Sequence, residues 1–562
     1  MLIEPLNPLI VQNDGTLLLD VHTPQAEAAG LAIRPFAELE KAPEHIHTYR
    51  MSPLSLWNAA SAGFAPHHIL SVLHTYTRYE IPSGIEAGLV LTMARYGKIR
   101  LIAQGETLLL VSDDPAVLME IHAAPGPAQY LSKTPQGLSL DPGHRGRVKG
   151  ELIKLGWPVQ DEAPLMPGEP LDIRLRTQSA AGLPFAPRPY QHEAALAFLG
   201  KAVPGSGYGV LVLPCGSGKT VVGMLVMALV KTNTLILTPN LTAVHQWIRE
   251  LLDKTELSPG QIAEYSGDLK AVAPVTVATY QILTWRPDAG GDFPHLRLFQ
   301  ERSWGLVIYD EVQLLPAPVF RITAELQAVR RLGLTATLVR EDGAEDAVFS
   351  LVGPKRYDVP WKDLERKGWI APARCTEIRL DLPQFLKIPY ACSASREKYR
   401  IASENPLKAR IVQHVVDTHR DAQILVIGHY LEQLASLAKL LKAPLISGKT
   451  PQGERERIYR AFRKAEVRLI LVSKVANYAV DLPDASVAIQ VSGSFGSRQE
   501  EAQRLGRILR PKAQGDTRKS SRGKAFFYTL VSRNTVEERF AAHRQRFLVE
   551  QGYTYAIQEW AG

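Results

Sequence analysis

The stretch Leu213-Pro-Cys-Gly-Ser-Gly-Lys-Thr220 lies between two apolar runs, Gly209 to Leu213 before it and Val221 to Val230 after it. A glycine-rich turn in that setting demands a strand, then a tight loop, then a helix. Gly216 and Gly218 free the backbone to bring its N–H groups close to a phosphate. The helix that follows adds the positive end of its dipole. Lys219 can neutralise the β- and γ-phosphates of a nucleotide, and Thr220 can hold Mg2+. Residues Pro214, Cys215, Gly216, Ser217, Gly218, Lys219 and Thr220 are therefore the expected phosphate-binding loop. The full pattern G-x-x-x-x-G-K-[ST] would place Gly at 213, where this chain has Leu213.

The apolar runs recur along the chain. GVLVL (209–213), TLILT (234–238), VTVAT (275–279), GLVIY (305–309) and RLGLT (331–335) form one series, and helical stretches separate them. QILVIG (423–428), PLIS (444–447), LILVS (469–473), VAIQV (487–491) and FFYTLV (526–531) form another. Short apolar runs that alternate with helices read as buried parallel strands. The expected fold class is therefore α/β, with two tandem parallel-sheet domains. A chain of 562 residues has room for three or four domains at roughly 150 residues each.

Residues 1–100 read as helix-rich. LIVQNDGTLLLDV predicts a hairpin turning at Asn13-Asp14-Gly15. Ser52 before Pro53 reads as a helix cap. Residues 101–180 read as a small α+β domain in which RLIAQGETLLLVSDD and DIRLRTQSA are strands, followed by a linker at 180–189. Hydrophobic residues are 45% and charged residues 22%, as in a soluble globular protein. A net charge of +8 permits nucleic-acid binding without requiring it. Three cysteines cannot build a disulfide framework, which points to a cytoplasmic setting. The start, with Glu4 and no basic residues, does not read as a secretory signal. The apolar run 221–230 is too short to cross a bilayer, so no membrane partner is expected.

Three further motifs carry chemistry. GLVIYDEVQ ends a strand in Asp310 and Glu311. In a phosphate-loop ATPase the first would position Mg2+, and the second would orient or deprotonate the attacking water. RLGLTAT puts Thr335 and Thr337 at a strand end, where hydroxyls can link a nucleotide site to a neighbouring domain. Ordinary strand packing explains that string equally. QEEAQRLGRILR places Gln503, Arg504, Arg507 and Arg510 along a helix, with Arg507 and Arg510 near one face. Planar guanidinium groups suit the charge spread over a transferring phosphoryl group.

Together, LPCGSGKT, DEVQLLPAPVF, RLGLTATLVREDG, SKVANYAVDLPDASVAIQ and EEAQRLGRILR resemble the XPB family of superfamily 2 DNA helicases, densely from about 185 to 535. Arg340-Glu341-Asp342 resembles the RED motif of that family. The resemblance implies two RecA-like motor domains, 181–378 and 379–562, preceded by an N-terminal domain (1–100) and a damage-recognition-like domain (101–180). It implies 3′–5′ DNA unwinding driven by ATP with Mg2+, in a repair role similar to nucleotide excision repair. Arg188 and Gln191 resemble an adenine-reading motif. TPNLTAVHQW (238–247) and ATYQIL (278–283) match DNA-tracking motifs. Gln313, Thr335, Thr337, Asp481, Gln503 and Arg504 fall at coupling positions, and Arg340, Glu341 and Asp342 at an unwinding position.

The chain departs from the family where Gln313 replaces a usual His, so altered coupling is expected, and where Ala476-Asn477 replace a usual Gly-Asp. Leu382 to Arg400 resembles a short thumb, with Lys387, Arg396, Lys398 and Arg400 as its basic face. The implied partners are forked, single-stranded or damaged DNA and a repair nuclease; the chain itself carries no nuclease motif of paired carboxylates plus Lys. Two other functions stay open on the sequence: a duplex translocase that does not separate strands, and a nucleotide-gated scaffold that recruits a nuclease. Only the family likeness favours DNA over RNA.

Overall fold

The structure is a computed structural model that describes residues 4–42, 45–180, 182–200, 206–214, 216–288, 293–326, 329–336, 345–359, 361–369, 373–473, 485–493, 525–550 and 554–560. It divides into two compact units, one of residues 1–38, 49–213 and 218–359, the other of 39–48, 214–217 and 360–562.

At the N-terminus β1 (Leu9–Val11) pairs antiparallel with β2 (Thr16–Asp20), in register Leu9↔Leu19. The turn is the expected one. Gly15 takes φ +81°, and Asp14 Oδ1 accepts from the Thr16 amide at 3.0 Å. Strands β3 (Glu38–Lys41) and β4 (Ile46–Arg50) follow. Helices Pro53–Ser61, Pro66–Tyr76 and Ser83–Ala94 complete this part. Ser52 caps the first of them: its hydroxyl accepts from the Ser55 amide at 3.0 Å, and Ser55 Oγ accepts from the Ser52 amide at 3.0 Å.

A mixed five-stranded sheet comes next, built from β5 (Ile99–Gln104), β6 (Thr107–Val111), β7 (Ser132–Thr134), β8 (Gly137–Leu140) and β9 (Val159–Asp161). Its order is β7-β8-β6-β5-β9, with β9 parallel to β5. DIRLRTQSA, expected as a strand, forms no strand. It runs as a strap with single bridges Leu175↔Thr255 and Gln178↔Pro184. Several N–H groups between Leu171 and Ala180 go instead to carbonyls at two helix C-termini. Leu171 N donates to Lys231 O at 3.0 Å, just after helix Lys219–Val230, and Arg176 N to Lys254 O at 2.9 Å, at the end of helix Leu241–Lys254. Helix ends leave such carbonyls without intrahelical partners. They take the place of a strand neighbour.

The first parallel sheet comprises β10 (Tyr208–Val212), β11 (Thr234–Thr238), β12 (Ile262–Tyr265), β13 (Val275–Thr279), β14 (Leu306–Asp310), β15 (Arg330–Thr335) and β16 (Lys355–Asp358). Its order is β12-β13-β11-β14-β15-β10-β16. Helix Arg145–Lys154 docks the small domain onto this part so closely that a Cβ on Gly146 would lie 2.3 Å from Ala324 O. Asp161, at the end of β9, is fully buried there. Arg145 Nε and Nη2 reach its two oxygens at 3.0 and 2.8 Å, and Lys149 Nζ joins at 2.9 Å. Tyr208 of β10 donates to the Asp161 carbonyl at 2.7 Å. Trp57, Ile153 and Phe349 form a small apolar cluster where the three parts meet.

The second parallel sheet comprises β17 (Ala373–Leu380), β18 (Ile424–Gly428), β19 (Leu445–Ile446), β20 (Leu469–Ser473), β21 (Val487–Gln490), β22 (Ala525–Ser532) and β23 (Thr554–Glu559), ordered β19-β20-β18-β21-β22-β17-β23. β17 pairs with β22 from Ala373 onward, so the second sheet begins there. The fold is the expected α/β arrangement of two tandem parallel sheets. The segment 382–400 forms parts of two short helices, Gln384–Cys392 and Ser395–Ser403. Its basic face is partly engaged: Arg400 binds Glu404 at 2.8 Å and Glu432 at 3.1 Å. Among the described residues no helix is long and apolar enough to cross a membrane.

Candidate functional site

β10, β15 and β14 are neighbours in the first sheet and all parallel, so their C-terminal ends open on the same edge. Val212 pairs with Thr335, and Asp310 with Leu334. With strands about 4.8 Å apart, this register gathers the loop after β10, the end of β15 and the Asp310-Glu311 pair within two strand spacings. Ligands of such sheets bind in the crevice beyond these carboxyl ends. Leu213 N donates to Thr335 O at 2.8 Å, which fixes the start of the loop to β15.

The loop takes the shape its glycines allow. Gly216 has φ +78° and Gly218 φ +81°. A Cβ on Gly218 would lie 2.6 Å from Gln191 Nε2, so a side chain at 218 meets both backbone strain and a clash. Gln191 belongs to helix Pro189–Leu199, and its Oε1 accepts from the Arg188 amide at 2.8 Å. Arg188 Nη1 in turn donates to Tyr190 Oη at 3.3 Å. The residues expected to face adenine thus brace one another beside the loop.

Lys219 opens the next helix, and its Nζ lies 3.0 Å from Glu311 Oε1. Gln313 Nε2 donates to Glu311 Oε2 at 2.9 Å, and Thr335 Oγ1 donates to Gln313 Oε1 at 2.5 Å. A chain of polar contacts therefore runs from Lys219 through Glu311 and Gln313 to Thr335. Glu311 itself has φ +51°, a left-handed conformation that costs an ordinary residue about 1–2 kcal/mol. That turn ends β14 and leads into the short helix Val312–Leu314.

Asp310 stays in the strand ladder. Its Oδ2 accepts from Trp247 Nε1 at 2.9 Å, and its carbonyl accepts from Tyr280 Oη at 3.0 Å. Burial pushes its carboxyl up to about 6, and the adjacent Glu311 adds to the rise; Lys219 and the Trp247 bond oppose it. The carboxylates of Asp310 and Glu311 at the end of β14, and the hydroxyl of Thr220 in the first turn of the helix after the loop, are hard oxygen donors of the kind Mg2+ takes. With the left-handed Gly218 just before Lys219, these residues fit a magnesium-bound nucleotide.

Cys215, Thr337, Arg340, Glu341, Asp342, Asp481, Gln503, Arg504, Arg507 and Arg510 lie outside the described residues. Trp247 and Tyr280 are site residues that the sequence reading passed over. Both stand inside segments read only as DNA-tracking motifs, 238–247 and 278–283, and nothing in their spacing points at a carboxylate 30 or more residues away.

Residues 364–560 match the family described as ERCC3/RAD25/XPB C-terminal helicase. Residues 9–134 match a helicase conserved C-terminal domain, and residues 184–340 the res subunit of type III restriction enzymes. A protein of Kineococcus radiotolerans named DNA 3'-5' helicase XPB is 52% identical over 98% of this chain and 96% of its own length. One of the same name from Mycobacterium tuberculosis is 50% identical over 98% of each chain. A protein of Enterocytozoon bieneusi, named general transcription and DNA repair factor IIH helicase/translocase subunit XPB, is 30% identical over 98% of this chain and 92% of its own.

Proposed function

The chain belongs to the XPB family of helicases, and on that premise we propose that it is an ATP-dependent DNA helicase that unwinds 3′ to 5′ in DNA repair. The observation that carries the reading is the polar chain Lys219–Glu311–Gln313–Thr335 at the mouth of β10, β14 and β15. It joins the residue that would meet the phosphates to the one that would activate water, and both to a strand end. Relatives named DNA 3'-5' helicase XPB supply the polarity and the nucleic acid.

In this reading the loop 214–220 holds the ATP phosphates and Gln191, with Arg188, seats the adenine. Thr220 and Asp310 hold Mg2+, which when bound would neutralise phosphate charge in the transition state. Lys219 exchanges Glu311 for phosphate. Glu311, freed of its cation, orients the attacking water and takes its proton. Gln313 keeps the Glu311 carboxylate turned toward the site and passes its position to Thr335. Arg507 and Arg510 are the proposed arginine fingers, Thr337, Asp481, Gln503 and Arg504 further coupling residues, and Arg340, Glu341 and Asp342 the unwinding element. The proposed domains are 1–100, 101–180, and two motor parts, 181–378 and 379–562.

DNA, forked, single-stranded or damaged, is the proposed substrate. A repair nuclease is a second proposed partner on the family resemblance, and the cytoplasmic nucleoid the proposed place of action. The test is strand displacement. A duplex with a 3′ tail is expected to be opened when ATP and Mg2+ are present, and one with only a 5′ tail left closed. Opening of neither overturns the helicase assignment. Duplex translocation is a second reading, favoured by the helicase/translocase name of the Enterocytozoon bieneusi relative. It predicts no displacement of a forked strand but ATP-dependent displacement of a third strand from a duplex. Lys219 and Glu311 in place argue against a scaffold that barely hydrolyses ATP.

A further inference from the structure

We propose that Trp247 is a positioning residue for the metal-holding carboxylate of Asp310, acting through its indole N–H. The inference rests on the nucleotide site proposed above and adds a residue to it.

Trp247 sits in helix Leu241–Lys254, which Asn240 caps by accepting from the Ala243 amide at 3.0 Å. Its side chain is among the largest fully buried ones, at 1% exposure. The ring fills a notch at Gly223, one turn beyond Lys219 in the helix that follows the phosphate loop. A Cβ on Gly223 would lie 2.5 Å from the ring and 3.5 Å from a Leu334 methyl. The indole is therefore held by packing from the very helix that carries Lys219. From that seat its Nε1–H points at Asp310 Oδ2, 2.9 Å away. Tyr280 fixes the backbone of the same residue by donating to its carbonyl at 3.0 Å.

A carboxylate on a short side chain rotates easily about its last torsion. One directed hydrogen bond in a buried setting sets that rotation. The choice of donor matters for a metal site. Lysine or arginine at this place would put a second positive charge against the cation. A neutral indole turns the carboxylate without competing for its charge. A tyrosine hydroxyl could also serve as acceptor, whereas an indole N–H only donates and leaves the carboxylate no alternative geometry.

The test compares binding of a non-hydrolysable ATP analogue in EDTA and in Mg2+ for wild type, Trp247→Phe, Asp310→Asn and the double variant. Mn2+ occupancy measured by electron paramagnetic resonance provides a second readout independent of turnover. Phe keeps most of the ring and loses the N–H. Trp247→Phe is expected to bind the analogue in EDTA as wild type does, and to lose about fivefold of the metal-dependent tightening, the size of one buried hydrogen bond. In the Asp310→Asn background the same change should cost nothing further, because Trp247 has no carboxylate left to orient. Full metal-dependent tightening in Trp247→Phe overturns the proposal. So does an equal loss with and without metal, which would make the residue a packing element only. No metal-dependent tightening in wild type would overturn the nucleotide site itself, and this inference with it.

Discussion

Replacing Asp161 by Asn tests whether the small domain is held to the first motor domain by charge as well as by packing. Asp161 is 0% exposed, and its two cations, Arg145 and Lys149, are 3% and 5% exposed. Burial alone would raise the Asp161 carboxyl, but Lys149 and Arg145 outweigh it and hold the group at about 2, against 3.8 for a free side chain. The variant also strands two buried cations beside Arg331, which burial has already pushed down to about 10. Breaking a buried ion pair on one side costs about 3–5 kcal/mol.

We therefore expect a loss of about 3 kcal/mol, seen in calorimetry as a drop of about 4 °C in the melting of this unit. Replacing Asp161, Arg145 and Lys149 together by Leu, Met and Met should recover most of that loss, since apolar groups of similar volume need no counter-charge. The pH dependence has a definite sign. A depressed carboxylate stabilises fully above about pH 4 and loses its contribution as pH falls toward 2, so the gap between wild type and Asp161→Asn should narrow across that window. A melting temperature within about 1 °C of wild type at neutral pH would show that the buried charge cluster does not hold the two parts together.

Three other changes address the nucleotide site. Lys219→Ala is expected to abolish DNA-stimulated ATP hydrolysis in a phosphate-release assay while fluorescence anisotropy still detects DNA binding. Gly218→Ala combines φ +81° with a contact of 2.6 Å to Gln191 and should weaken nucleotide binding about tenfold or more by calorimetric titration. Gln313→Ala cuts the bridge between Glu311 and Thr335. It should lower strand displacement per ATP hydrolysed more than it lowers hydrolysis, and Gln313→His should restore the ratio.

The parts legible in the sequence were those buried on every side. TLILT and VTVAT match β11 and β13 residue for residue, because strands buried on both faces read as short, nearly continuous runs of apolar and β-branched residues. β12, β16 and β23 escaped notice. They are edge strands, and β16, Lys-Arg-Tyr-Asp, has no fully buried residue. β17 escaped because its apolar residues alternate with Arg and Glu. The strap after β9 misled because a polar–apolar alternation reads as a strand, while its backbone partners are helix ends far along the chain. At the site, Lys219 was legible from the glycine-rich loop before it, and Glu311, Gln313 and Thr335 by type and by their place at or just after strand ends. Their mutual contacts were not, since they depend on a register between strands nearly 100 residues apart. The Asp161 cluster and the Trp247 bond rest on tertiary packing alone, which no local pattern encodes.

Hydrolysis at the proposed site should depend on Glu311 and respond to DNA. Both are tested most directly by the steady-state ATPase rate without nucleic acid and with forked DNA, duplex DNA and matched RNA, for wild type and Glu311→Gln. Wild type is expected to show strong stimulation by forked DNA and little by RNA, and the variant to lose turnover. A rate unmoved by any nucleic acid, or equal in Glu311→Gln, would contradict that expectation.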